Sequence, residues 1–181
     1  MDSVCIAVKD SSVLIDLVHG GLIEEWFDLN IETHVTDSVL NEMRIGSQAA
    51  IILSLIDQGM IKVHSIEEDE AASWLFSVQR IMIEHKVSFA DAASLIYAQR
   101  IGAILMTGDG ALRLAAKRLG VTVRGMLWIL DILIWRDVIS VHRALQCLEL
   151  MQSNRARLSE KACSMRVQKW TSGERVKPKG I

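Results

Sequence analysis

The chain has 181 residues, a net charge of −2, half of its residues hydrophobic and a single proline, Pro178. That composition excludes a disordered chain and a loop-rich fold, and the length is enough for one sizeable core. The charge is uneven: residues 154–181 hold eight basic and two acidic residues, a net of +6, which leaves −8 on the remainder.

Apolar runs and helical patterns alternate along the chain. A first strand is predicted at 3–10 (SVCIAVKD), ending on Asp10. Residues 12–29 read as one or two helices broken near Gly20-Gly21, and 32–36 as a second strand. A helix is predicted over 37–45, with Asp37 or Ser38 as its cap, and another over 47–59, closed by Gly59. A third strand covers 60–65. Residues 67–85 form an amphipathic pattern with acids placed in its first turn, as a helix dipole prefers. A helix at 88–102, capped by Ser88, leads to a fourth strand at 103–107, a helix at 110–120 and a fifth strand at 121–125. The rest, through residue 170, is helical.

The pattern predicts an α/β fold: a three-layer α/β/α sandwich with a mainly parallel sheet of about five strands, plus C-terminal helices. MLWILDILIW (126–135) is too short to span a bilayer and contains Asp131, so it reads as a buried helix. Its Trp128 and Trp135, and Trp170 further on, also suit a dimer or partner surface. The N-terminus shows no secretory pattern, and no membrane association is expected. Cys5, Cys147 and Cys163 are far apart, with no CxxC pair, and the five histidines lack ligand spacing. Both facts argue against a disulfide framework and a zinc site, and fit a reducing, cytoplasmic setting. The basic C-terminal segment suits nucleic acid or an acidic partner; a solvated, frayed end is the plainer alternative.

Ligands of such sheets bind beyond the carboxyl ends of the strands. Asp10 ends the first strand and Asp109 follows the fourth. Asp91 lies near the start of a helix that leads into a strand, so it falls at the same edge. Glu42, in the second turn of the helix after the second strand, can reach back. Like charges at ~4 Å repel by several kcal/mol at intermediate dielectric, so four such acids need protons or cations. Oxygen ligands without His or Cys suit Mg²⁺ or Mn²⁺, which activate water and stabilise a phosphodiester under attack. Each acid also has a plain structural role. Ser88 and Asp91 fit a capping box, Asp109 a helix start and Asp10 a cap; Glu42 fits an exposed helix acid, with Asp37 a rival for its place. Their joint placement at one edge favours chemistry.

IAVKDSSVLIDL resembles the opening of PIN domains, HVTDSVLNEM their second block, and VSFADAASLIYAQRIGAILMTGDGALRLAAKRLGVTV their third and fourth. VRGMLWILD and RLSEKACSMRVQKW resemble a bacterial and archaeal PIN-like subgroup with a helical C-terminal extension. The resemblance implies a PIN-like domain over 1–125, a helical extension at 126–170 packed on it and a basic, flexible tail at 171–181. It implies a Mg²⁺- or Mn²⁺-dependent endoribonuclease acting on RNA. Asp10, Glu42, Asp91 and Asp109 would be the acidic ligands, Ser12 and Thr107 the hydroxyls that position ligands or water. Asp91 is one candidate to help deprotonate that water. Many PIN proteins are toxins of toxin–antitoxin pairs and many dimerise, which implies a homodimer and an antitoxin or other protein partner. A PIN-like binding or regulatory module with little catalysis is the alternative. TGDG (107–110) also resembles a motif of haloacid-dehalogenase-type phosphohydrolases, but Ser12 stands where those enzymes place a second Asp.

Overall fold

The computed structural model describes residues 5–43, 47–154 and 156–178. Ser3 and Val4 of the predicted first strand, Arg44 and Ile45 of the predicted helix 37–45, Arg155, and residues 179–181 lie outside them. The elements in chain order are β1 (Ile6–Lys9), α1 (Ser11–His19), α2 (Ile23–Phe27), β2 (Glu32–Thr36), α3 (Asp37–Met43), α4 (Ser47–Asp57), β3 (Ile61–His64) and α5 (Ala71–His85). They continue with α6 (Phe89–Ile101), β4 (Ile104–Met106), α7 (Gly110–Arg118), β5 (Val123–Arg124), α8 (Met126–Trp135), α9 (Val141–Ser153) and α10 (Glu160–Thr171). The strands form one sheet in the order β3-β2-β1-β4-β5, and all four pairings are parallel. The expected three-layer α/β fold is present.

Alternate strand residues sort the helices onto two faces, as the two-residue side-chain period requires. Ala7, Ile104 and Met106 pack against α1, α2 and α8–α10. Val8 and Leu105 pack against α5, α6 and α7. Leu14, Val35 and Ile61 gather α3 and α4 into a smaller cluster. β1 is central, so both of its faces are covered. Even Lys9 is fully buried there, its Nζ lying 3.2 Å above the centroid of the Trp26 ring.

Helix α8 buries eight of its ten residues, and each large aliphatic so placed stabilises by roughly 1.5–3 kcal/mol. Trp128 belongs to that core, and Trp135 is 37% exposed. Trp170 is not an outward anchor: it is buried, and its indole N–H donates to Asp131 Oδ1 at 3.0 Å. Arg166 Nε stands 2.8 Å from the other oxygen of Asp131, so one buried carboxylate fastens α10 to α8. Among the described residues no helix is long and apolar enough to cross a membrane.

One helix start differs from expectation. α5 begins at Ala71, so the acids at 67–70 precede it rather than fill its first turn. Four adjacent carboxylates repel one another within a turn, and Glu70 pairs instead with Arg100 of α6.

Candidate active site

Each acid at the carboxyl edge is held by local backbone chemistry. Where β1 ends, the Asp10 amide donates to the Met106 carbonyl at 3.1 Å, tying β1 to β4. Asp10 then caps α1: Oδ1 accepts from the Val13 amide at 2.8 Å and from the Ser12 hydroxyl at 2.9 Å. The Thr107 hydroxyl also bonds this carboxylate. Burial pushes the Asp10 carboxyl above its ordinary range; the three hydrogen bonds oppose that rise, and the charge of Asp91 adds to it.

Asp109 caps α7, with Oδ1 accepting from the Leu112 amide at 2.8 Å. Its own amide donates to Thr107 Oγ1 at 2.9 Å, so one hydroxyl serves two of the acids. Asp91 and Ser88 form a capping box at the start of α6, with bonds of 3.1 and 3.3 Å. Glu42 Oε2 accepts from the Ser11 hydroxyl at 3.0 Å. Asp37 accepts from Ser38, and its charge opposes the lowering of the His64 pKa that burial and then Arg100 bring about.

Asp10, Glu42, Asp91 and Asp109 line one cavity of about 450 Å³, together with Ser12; Asp37 is not among its lining residues. They ring the cavity rather than meet at a point. Among the described residues no three acidic, histidine or cysteine side chains stand close enough to enclose an ion as they are. Asp10, Asp91 and Asp109 are each drawn onto the start of their own helix, and Glu42 onto Ser11.

Two residues of this cavity were not anticipated. Asp16 is only 9% exposed, and its carboxyl is pushed up to about 6 by burial and by the charge of Asp10. The signal for it was present: it lies four residues after Ser12, one turn along the same helix face. Arg157, from the connection between α9 and α10, brings the one cation among the described lining residues, 3.7 Å from Asp109 Oδ2. No periodicity could place that connection.

The family model DUF3368, described as a PIN domain, matches residues 6–172. The chain belongs to the PIN-domain family. The match runs through α10, so helices α8–α10 lie within this PIN family's own extent. The PIN domain is also similar to "Crystal structure of PAE2754 from Pyrobaculum aerophilum", with a TM-score of 0.48 and 20% identity, over 66% of this chain and 91% of that one. No curated protein matches the chain. A PIN domain is a nuclease-type fold.

Proposed function

We propose that the protein is a metal-dependent ribonuclease that hydrolyses RNA phosphodiesters, with Mg²⁺ or Mn²⁺ held by Asp10, Glu42, Asp91 and Asp109. The observation that carries this reading is that four carboxylates from four separate segments share one cavity at the carboxyl edge of the sheet. Such a set repels itself, and a lone arginine at 3.7 Å from one member does not neutralise it. The donor set fits the ion, because it is all oxygen. The cavity that the four acids line has room for a hydrated ion, and Mg²⁺ commonly keeps several waters and takes only one or two carboxylates directly. When bound, the ion would supply a Lewis acid and a bound water that gives up its proton more readily than bulk water does.

The chain's own residues do the rest. Ser12, Thr107 and the Val13 amide hold the Asp10 carboxylate in one orientation. Thr107 also holds the turn that presents Asp109. Asp91 stands at a half-exposed position, suited to accept a proton from water. Arg157 supplies positive charge at the cavity edge, where a substrate phosphate would arrive.

One observation favours a second reading, a PIN-like binding module. Asp10, Asp91 and Asp109 all cap helices, which alone gives each a reason to exist. Incubating an end-labelled single-stranded RNA with the full chain in Mg²⁺, Mn²⁺ or EDTA separates the two. The nuclease reading expects cleavage in metal and none in EDTA. It also expects a loss of roughly 10²-fold or more in Asp91→Asn at unchanged melting temperature. RNA left whole by wild type in both metals supports the binding module instead.

A further inference from the structure

A second cavity lies beside the acidic one, with a volume of about 750 Å³. The turn Thr107-Gly108-Asp109 divides the two: Thr107 and Gly108 face the larger cleft, and Asp109 faces the acidic cavity. Arg157 lines both. The cleft is strongly cationic. Arg113, Arg124, Arg157, Arg166, Lys169 and Lys177 line it, against one acid, Asp131, among the described lining residues.

The cleft is built rather than incidental. Arg113 Nη1 donates to the Thr107 carbonyl at 3.0 Å. Gly125 leaves room for that bond, because a Cβ there would fall 3.1 Å from Arg113 Nη1 and 3.2 Å from the Thr107 oxygen. Asp131 and Glu174 hold Arg166 and Lys169 in place, at 2.8 and 2.9 Å. Burial, and then the charge of the neighbouring Arg124, lowers the pKa of the Arg113 guanidinium, so these two cations repel each other. An anion relieves that repulsion. Between the cations runs an apolar wall of Val123, Met126 and Leu127.

We propose that this cleft holds one unpaired nucleotide of the RNA strand, next to the phosphodiester presented to the acidic cavity. This rests on the nuclease reading for the nature of the ligand. Phosphate oxygens would sit on the arginines and lysines, and the base on the apolar wall. A pocket of this size takes a drug-sized unit and excludes a base-paired stretch, and bases splayed out of a single strand are the ones such pockets take. Arg157 is the link through which one strand touches both cavities.

The test is fluorescence anisotropy of a labelled single-stranded RNA 12-mer on the full chain, in EDTA and over a range of salt. Arg124→Gln/Lys177→Gln changes two cations that line this cleft and are not among the described lining residues of the acidic cavity. Its affinity is expected to fall about tenfold. The slope of log affinity on log salt is expected to shrink by about 1.4, near 0.7 for each single-strand phosphate that the variant no longer neutralises. Its Mn²⁺ binding stays as in wild type. Lys177→Gln alone, at an exposed position, is expected to show half of the slope change and serves if the double variant melts early. Unchanged affinity and slope, or a wild type that does not bind RNA, overturns the cleft. A free nucleoside monophosphate is expected to compete only in large excess; binding as tight as that of the 12-mer overturns the strand assignment. Wild type that binds RNA with this salt slope yet never cuts it keeps the cleft and overturns the nuclease reading. Wild type that cuts, with a variant that binds normally, overturns the cleft alone.

Discussion

Replacing Asp16 with Asn isolates the electrostatics of the acidic cavity. The Asp16 carboxyl is pushed up to about 6 by burial and then by Asp10. Against an ordinary value near 4, roughly two units are worth about 3 kcal/mol at 1.36 kcal/mol per unit. Water at the cavity mouth screens part of that and leaves about 1–2 kcal/mol. The folded state binds this proton more tightly than the unfolded state does. Stability is therefore lost as pH rises from about 4 to about 6, and stays lost at higher pH. Asn keeps the shape without the charge. In EDTA at pH 7.5, Asp16→Asn should melt about 2–8 °C above wild type, at 2–4 °C per kcal/mol for a chain of this size. At pH 4 the gap should close. Saturating Mn²⁺ should narrow it at pH 7.5, because a cation neutralises the same charge. Equal melting at pH 7.5, or a gap that widens in acid, refutes the reasoning.

Lys9→Met tests the other buried charge. Lys9 Nζ has no hydrogen-bond partner among the described residues and rests on the Trp26 ring, and burial holds its pKa well below the usual lysine range. Met should raise stability by about 1–3 kcal/mol at pH 7, with a smaller gain at pH 10, where folded Lys9 is neutral and unfolded Lys9 is losing its proton. A loss above about 2 kcal/mol would mean that the ring and Asp10 outweigh desolvation. Asp109→Ala should lower the melting temperature by about 2–4 °C, since a lost cap costs about 1 kcal/mol; Asp109→Asn, an equally good cap, should stay within about 1 °C. Identical melting of Ala and Asn would deny the cap. Asp131→Ala strands Arg166 and the Trp170 indole, at a cost of about 3–5 kcal/mol. Limited proteolysis should then cut before α10 well below the global transition; an unchanged digestion pattern would deny the fastening.

The strands and helices were legible because short apolar runs alternate with helical patterns between glycine stops. That alternation forces a parallel sheet, and a parallel sheet forces Asp10, Asp91 and Asp109 to one edge. Glu42 against Asp37 was open in the sequence; in the structure Glu42 lines the acidic cavity and Asp37 is not among its described lining residues. Less legible were arrangements made by rotamers and irregular chain. The acids ring a cavity instead of meeting, because local caps claim them first. Lys9 reads as an exposed strand residue until β1 is known to be central. The cationic cleft draws on α7, β5, α8 and α10 at once, so no local pattern announces it.

Manganese binding to the full chain, followed by electron paramagnetic resonance of the free ion, tests most directly whether the four carboxylates form one metal site. Wild type should bind one Mn²⁺ in the acidic cavity. Asp109→Asn, melting as wild type does, should bind it at least tenfold more weakly. Equal binding curves for the two proteins, or no binding by wild type, would contradict the account.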